Sequence, residues 1–233
     1  KIKEKIKTGE LEQTLREHLV QQILPFWMKY GIDEKNGGIY SMIGEDGTLH
    51  SKNKYLWFQG RGLWTFSALY EYIEPNPRWK EIADRIFEFI IRHGQTEGGK
   101  WVFAVSENGR KIVEPPKSHY VDAFMIMGFT QYARITNNPK AIALAKETCK
   151  SMVPMILDHG LFQSAPHFIP EDLQSHGVYM MFSHVFHEFG VLTKDKEILD
   201  YALAFAEKIM TEHVDWSHQV LLEFVGRNGK PVH

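Results

Sequence analysis

Apolar residues recur along most of this chain at the spacing of an α-helix, and the helical segments are of two kinds. In the first kind, apolar positions three and four residues apart share one face and charged residues fill the other, as in the segment 79–90. Such helices place one face on a core and leave the other in water. The pattern predicts them at 11–30, 79–90, 140–156 and 196–212.

The second kind of segment is apolar on nearly all sides, which is typical of buried helices. It predicts helices at 55–73, 120–133 and 178–192. The two kinds alternate along the chain, as expected of an outer ring of helices around an inner ring. The predicted fold class is therefore all-α: an (α/α) toroid of about seven helices, four outer and three inner, in a single domain over residues 1–233.

An arc of seven helices would leave an apolar flank on its last helix pair. We therefore expect the natural chain to continue with several more helices, so that the toroid is truncated at its C-terminal end. The alternative is a complete seven-helix domain with an irregular cap.

Three similar segments between the helices predict short β-hairpins at one end of the toroid. Strand-like runs at 37–42, 98–103 and 220–225 are each followed by an Asp-Gly or Asn-Gly pair that ends in Gly47, Gly109 or Gly229. Such pairs favour hairpin turns because these turns need a positive φ. A fourth unit would fall at 161–172, where Pro166 and Pro170 predict an irregular loop instead.

Composition narrows the function classes. Lys+Arg 27 minus Asp+Glu 29 gives −2, and no basic run extends past the first residues, so the chain lacks the charge expected of a nucleic-acid binder. The single cysteine, Cys149, excludes an internal disulfide and a cysteine-based metal site, and no apolar run approaches the length of a membrane span. We expect a cytoplasmic protein, although a removed leader stays open because the chain begins at Lys1.

The first buried helix carries the polar pair Gln59 and Arg61. A buried arginine keeps its charge and must meet an acid, a carbonyl or a ligand. Gly60 lies between them and would allow another backbone to approach closely, and Trp57 lies one turn before Arg61. These residues are candidates for ligand binding; a structural salt bridge across the toroid is the alternative.

The second buried helix carries Tyr120, which follows Arg61 by 59 residues, close to the repeat period. The repeat therefore predicts the two side chains at nearly the same level. A tyrosine offers a ring and a hydroxyl to a ligand, and an ordinary core tyrosine is the alternative. Glu223 is a further candidate: strand alternation predicts it on the same face as Leu221 and Val225, and a carboxylate there could bind a sugar hydroxyl. Its alternative is an exposed edge strand.

Histidines mark the third buried helix. His176, His184 and His187 share one helical face by spacing, and histidine is the usual acid or base near neutral pH. Core or surface histidines are the alternative, and without a third ligand at regular spacing no zinc site is predicted.

Two sets of motifs, in matching order and spacing, carry a family resemblance. The longer runs Asp33-x-x-x-Gly37-Gly38, Asp46-Gly47, and Lys54-Tyr55-x-Trp57-x-Gln59-Gly60-Arg61-x-x-Trp64. The looser set is Tyr120-x-x-x-Phe124, Val178-Tyr179-Met180-Met181, Glu188-Phe189-Gly190, and Leu222-Glu223-x-Val225-x-x-x-Gly229-Lys230. Together they span nearly the whole chain, which resembles the N-acylglucosamine 2-epimerase family.

This resemblance implies an (α/α)6 barrel and an isomerase that acts on sugars without a redox cofactor. It implies that one histidine removes the proton next to the carbonyl of the opened sugar and a second returns it on the other face. Arg61 is then expected near the sugar oxygens, with Tyr120 lining the same pocket.

The family pattern also implies what residues 1–233 lack. The first catalytic histidine follows the third hairpin in an Asn-Pro-Gly-His motif, and the second lies further on. The resemblance therefore assigns no catalytic residue to this chain, since His233 only ends the hairpin, and we expect this piece alone to be inactive. Met180 stands where cellobiose epimerases and mannose isomerases carry a histidine, which favours the N-acylhexosamine branch.

We therefore predict a sugar 2-epimerase that interconverts N-acylglucosamine and N-acylmannosamine or a related hexose pair, with a small-molecule sugar as its partner. The predicted sugar-binding residues are Arg61, Tyr120, Trp57, Gln59, His176 and Glu223. The alternatives are an aldose–ketose isomerase or cellobiose-type epimerase, a glycoside hydrolase using Asp122 and Glu188 as its acids, and a sugar-binding module without activity. The aromatic exterior adds a homodimer as a hypothesis.

Overall fold

The helices occupy the predicted positions. A computed structural model describes residues 8–112, 118–158 and 169–232. Over these ranges, α1 (Thr8–His18) and α2 (Leu24–Phe26) form one rod through π-helical turns at Leu19–Ile23 and Trp27–Gly31. The others are α3 (Leu56–Ala68, extended by Leu69–Ile73), α4 (Pro77–His93), α5 (His119–Thr136), α6 (Pro139–Leu157), α7 (His176–Thr193) and α8 (Lys196–Lys208, extended by Ile209–His213). The seven predicted helices are confirmed.

Asn-Pro pairs fix the start of two outer helices. The side chain of Asn76 accepts a hydrogen bond from the amide of Arg78, and Asn138 accepts from those of Lys140 and Ala141. Each asparagine satisfies amides that lack a partner within the helix, and the following proline supplies a φ suited to its first turn. The outer helices α4 and α6 therefore begin where the sequence changes from turn to helix.

The helices form two layers. The inner helices α3, α5 and α7 pack side by side, and each packs against the outer helix that follows it: α4, α6 and α8 respectively. The large fully buried side chains lie at these contacts, among them Phe66, Phe129 and Phe186. This arrangement confirms the predicted alternation of inner and outer helices. No described helix has both the length and the apolarity needed to cross a membrane.

Two glycines allow α3 and α5 to approach closely. A Cβ added at Gly60 would lie 2.5 Å from the backbone oxygen of Phe124, and one at Gly128 would lie 2.5 Å from the backbone oxygen of Gly60. Both distances are shorter than a carbon–oxygen contact, so only glycine fits while the helices stay in place. The close approach predicted for Gly60 is confirmed, and α5 is the helix that uses it.

We expect Gly128→Ala to destabilise the fold by about 1–3 kcal/mol, because the added methyl group pushes against backbone that cannot rotate away. Urea unfolding followed by circular dichroism measures this. Gly9→Ala is the matched control, since a Cβ at Gly9 meets nothing within 4 Å. If Gly128→Ala were as stable as Gly9→Ala, the close contact between α3 and α5 would be wrong.

Four two-stranded antiparallel sheets lie between the helices. They pair β1 (Met42–Ile43) with β2 (Leu49–Ser51), β3 (Lys54–Tyr55) with β4 (Ala104–Val105), β5 (Leu173–Ser175) with β8 (Phe224–Gly226), and β6 (Val214–Asp215) with β7 (Val220–Leu221). Because β3 leads into α3 and β5 leads into α7, the sheets lie at the N-terminal ends of the inner helices.

The three predicted turns are confirmed. Gly47, Gly109 and Gly229 have φ values of 86°, 85° and 73°. In each turn the glycine amide donates to the carbonyl three residues earlier, at Gly44, Ser106 and Gly226. Most of the fourth unit, predicted as an irregular loop at 161–172 with Pro166, lies outside the described residues.

The predicted strand pairing is wrong for the third hairpin. The run 220–225 does not pair across the turn at Gly229; it splits into β7, which pairs with β6, and β8, which pairs with β5. In the same way, β4 pairs with β3 before the inner helix α3. The strand before an inner helix therefore pairs with the segment after the next outer helix, which a hairpin motif cannot reveal.

Candidate functional site

An arginine stacked between aromatic rings marks the inner surface. The guanidinium carbon of Arg61 lies 5.9 Å from the ring centre of Trp57 and 5.4 Å from that of Phe124, and the two rings are 6.2 Å apart. Arg61 is exposed and forms no ion pair within the described residues. Its charge is therefore held in place by the rings and remains available to a ligand.

Phe124, and not Tyr120, lies beside Arg61. Helix α3 begins at Leu56 and α5 at His119, so equivalent positions are 63 residues apart, not 59. The prediction that Tyr120 shares the level of Arg61 is therefore wrong by one helical turn: Tyr120 is equivalent to Trp57. The close approach at Gly60 brings Phe124 to the guanidinium, and the motif Tyr120-x-x-x-Phe124 held this signal.

Tyr120 instead belongs to a second polar group at the start of α7. The Oγ of Ser175 donates to Oε1 of Glu223 over 2.8 Å, and Nδ1 of His176 lies 3.3 Å from Oε2 of Glu223. Burial, together with the charge of Glu223, raises the pKa of the Tyr120 hydroxyl, so it stays protonated at neutral pH. The structure thus brings together the predicted residues Tyr120, His176 and Glu223.

The orientation of Glu223 differs from the prediction. Val225 is fully buried, whereas the Glu223 side chain is 57% exposed. The two do not share a face because the strand is interrupted between β7 and β8. The break turns the carboxylate toward the start of α7.

A histidine that was not predicted supports this group. His213 is fully buried; its Nδ1 lies 3.1 Å from the backbone oxygen of Leu222, and its Nε2 has no hydrogen-bond partner. Burial lowers its pKa, so the ring is neutral at pH 7 and Nδ1 donates to Leu222. The helical spacing Ile198, Ala202, Phe205, Ile209, His213 places it on the buried face, a signal that sequence reasoning could have used.

The other two histidines of α7 lie apart from this group. His184 and His187 are exposed, and His187 approaches the neighbouring Glu188 at 3.5 Å. Met180, on the same helix, is 52% exposed. Among the residues described, no group of three or more histidine, cysteine, aspartate or glutamate side chains could hold a metal ion.

Gln59 performs a structural task and not the predicted sugar contact. Its side chain is fully buried; Oε1 accepts from the amide of Ile39 at 2.9 Å and Nε2 donates to the oxygen of Ile39 at 2.7 Å. A Cβ at Gly38 would lie 2.7 Å from this Oε1, so the motif glycine makes room for the amide. We therefore leave Gln59 out of the proposed ligand contacts.

Two further motif residues, Asp33 and Lys54, form a buried ion pair. Nζ of Lys54 lies 2.7 Å from Oδ2 of Asp33, and the side chains are 0% and 3% exposed. Nζ also donates to the backbone oxygens of Gly37 and Glu107, at 2.6 and 2.9 Å. This cluster joins the first loop to the second turn, so much of the opening motif maintains the fold.

The acids of the inner helices do not form a catalytic pair. Oε2 of Glu188 lies 3.1 Å from Nη2 of Arg134. Burial acts against ionisation of Glu188, but Arg134 outweighs it and lowers the carboxyl pKa. Asp122 lies 3.9 Å from the ring of His119 on its own helix. A carboxylate held ionised by an arginine cannot serve as the general acid of a glycosidase.

Fold and site together define an (α/α) toroid with a cationic and aromatic ligand site at the N-terminal ends of its inner helices. The chain belongs to the N-acylglucosamine 2-epimerase family, whose model matches residues 37–232. The predicted resemblance is confirmed.

Individual relatives come from two branches. The bovine (Bos taurus) N-acylglucosamine 2-epimerase is 26% identical over 219 residues, covering 91% of this chain and 49% of the relative. The cellobiose 2-epimerase of Bacteroides fragilis is 31% identical over 137 residues, covering 58% of this chain and 34% of the relative. The chain thus spans about half the length of the N-acylglucosamine 2-epimerases it matches.

Solved structures agree on the toroid. The cellobiose 2-epimerase of Bacillus thermoamylovorans superposes with a TM-score of 0.83 at 19% identity, covering 96% of this chain and 61% of that protein. A family 76 mannosidase of Bacteroides thetaiotaomicron gives 0.64 at 14% identity, covering 94% and 59%. At these identities the likeness concerns the fold alone.

Proposed function

We propose that the natural gene product is a sugar 2-epimerase that interconverts N-acylglucosamine and N-acylmannosamine, or a related hexose pair. The observation that carries this is Arg61, a guanidinium held between Trp57 and Phe124 without an ion-pair partner in the described ranges. When the C2–H bond of an open-chain sugar breaks, its electron pair moves toward the C1 carbonyl and leaves negative charge on oxygen. A fixed cation near that oxygen stabilises the charge as it forms.

The neighbouring side chains suit a sugar. Trp57 and Phe124 offer faces for the apolar side of a sugar ring. The protonated hydroxyl of Tyr120 donates or accepts a hydrogen bond, and the carboxylate of Glu223 accepts them. His176 lines the same group. The family resemblance implies that the histidines which move the proton follow His233, and the proposal assigns that step to none of residues 1–233.

A cellobiose-type epimerase is the second candidate, supported by the 31% identity to the Bacteroides fragilis enzyme over 137 residues. Met180 supports the first candidate, because the resemblance places a histidine there in the cellobiose branch. The pairing of Glu188 with Arg134 disfavours a glycoside hydrolase.

Proton NMR of the gene product in D2O tests the proposal. With N-acetylmannosamine we expect N-acetylglucosamine to appear and C2 of both sugars to take up deuterium, because a proton returned from solvent replaces the one removed. Exchange with cellobiose alone would favour the second candidate. Release of reducing ends from a polysaccharide without C2 exchange would overturn the epimerase proposal.

A further inference from the structure

A small open space lies over Gly177, in the first turn of α7. A Cβ added there would lie 3.3 Å from the hydroxyl of Tyr120, 3.4 Å from Oγ of Ser175 and 3.8 Å from Oε1 of Glu223. These oxygens come from three separate parts of the chain: α5, β5, and the connection between β7 and β8. They converge on one point that no side chain fills, and Gly177 itself is only partly buried.

The oxygens around this space mainly accept hydrogen bonds. The hydroxyl of Ser175 donates to Glu223 over 2.8 Å and accepts from the amide of Gly177 over 3.2 Å, so both of its roles are taken. Oε1 of Glu223 keeps a free lone pair, and a carboxylate only accepts. The Tyr120 hydroxyl can give or accept a hydrogen bond. A group entering the space would therefore fit best as a hydrogen-bond donor.

The carboxylate is held in position from both sides. The backbone oxygen of Glu223 accepts from the amide of His176 at 3.1 Å. One residue earlier, Leu222 bonds His213 twice: its amide donates to the His213 oxygen at 2.8 Å, and its oxygen accepts from Nδ1 of His213 at 3.1 Å. Because little reorganisation is needed on binding, such a fixed acceptor gives specificity at low cost.

We propose that Gly177 determines substrate specificity: the space over it receives one hydrogen-bond-donating substituent of the sugar, a hydroxyl or an acylamino N–H, which donates to Glu223. This rests on the proposed sugar site, and it adds which side chains read that substituent and why the position must lack a side chain. A methyl group at residue 177 would occupy the space.

The test is Gly177→Ala in the natural gene product, with Gly9→Ala as the matched control. The substitution keeps an ordinary helical residue in a helix, and alanine favours helix over glycine, so folding is retained. We measure kcat and KM for N-acetylmannosamine, then the loss in kcat/KM for analogues that lack one hydroxyl each and for mannose, which lacks the acylamino group.

We expect Gly177→Ala to raise KM on the order of tenfold or more, because a site built for a hydrogen bond is lost with its partner, and to change kcat by less than about threefold. For one substituent, deletion should cost the wild-type protein on the order of tenfold and cost Gly177→Ala less than about twofold. Glu223→Gln should abolish sensitivity to the same substituent, while Gly9→Ala should match the wild type.

Other results separate the two proposals. If the wild type epimerises the sugar and Gly177→Ala keeps the wild-type KM, or keeps the full loss for every deletion, the specificity proposal is overturned and the epimerase proposal stands. If the wild type acts on no sugar, both are overturned.

Discussion

Replacing Arg61 with alanine is expected to lower kcat/KM on the order of 100- to 1000-fold, which is typical of removing one group that stabilises developing charge. The loss should fall mainly on kcat, because the guanidinium meets more charge in the transition state than in the bound sugar. Steady-state kinetics of epimerisation by the gene product measures both constants. Since Arg61 is exposed and joins no ion pair among the described residues, its removal should change the free energy of unfolding by less than about 1 kcal/mol.

Two further variants make this prediction specific. Arg61→Lys keeps the charge but loses the planar group that stacks between Trp57 and Phe124, so we expect an intermediate loss. Arg92→Ala removes a similar side chain from α4, where Arg92 is 68% exposed and pairs with Glu88 at 3.5 Å, and should leave kcat/KM unchanged. An Arg61→Ala protein within threefold of wild-type kcat/KM would contradict the role of Arg61.

Replacing Lys54 with methionine is expected to destabilise the protein by about 3–5 kcal/mol, because it leaves the Asp33 carboxylate buried without its counter-charge. Urea unfolding measures the free energy difference. Lys52→Met is the matched control: Lys52 is 60% exposed and pairs with Glu107 at 3.1 Å, so its loss should cost less than about 1 kcal/mol. Equal effects of the two substitutions would show that burial of the pair adds nothing.

The same ion pair predicts a dependence on acid. Burial alone would raise the pKa of Asp33, but Lys54 and Asn36 more than offset it and hold that pKa well below its usual value of 3.8. The ionised carboxylate therefore stabilises the fold above about pH 4, and this contribution is lost as pH falls toward the lower folded pKa. Below pH 4 the free energy of unfolding should fall more steeply, by about 1.4 kcal/mol per pH unit, in the wild type than in Asp33→Asn. Identical pH profiles would contradict the shifted pKa.

Most of the helical architecture could be predicted because helix burial is recorded locally. One-sided apolar spacing marked α4 and α8, and apolar surroundings marked α5 and α7, so that layer and order followed from the sequence. The strand pairing could not be predicted in this way, since β5 and β8 are about fifty residues apart and two to three residues long. Strands this short carry almost no period.

The site was predicted in its parts and not in its grouping. Arg61 and Trp57 were found because a charge between aromatic residues on a buried helix is unusual. Their partner Phe124 was missed because the repeat was measured between turn glycines, and the connections after those turns differ in length. Gln59 carried the same motif signal as Arg61, yet its amide is used by Ile39. Sequence alone did not distinguish a motif residue that binds from one that folds.

The pairing of β3 with β4, and of β5 with β8, defines units different from those between hairpins. The segments 54–105 and 173–226 each hold an inner helix, the outer helix after it and both strands of one sheet. Each segment therefore keeps its own inter-strand hydrogen bonds. Chimaeras that exchange 54–105 as a block with a relative should preserve the ladder, whereas crossovers at the turn glycines would divide β3 from β4 between two parents. Recombination within this family should accordingly favour boundaries just before the inner helices.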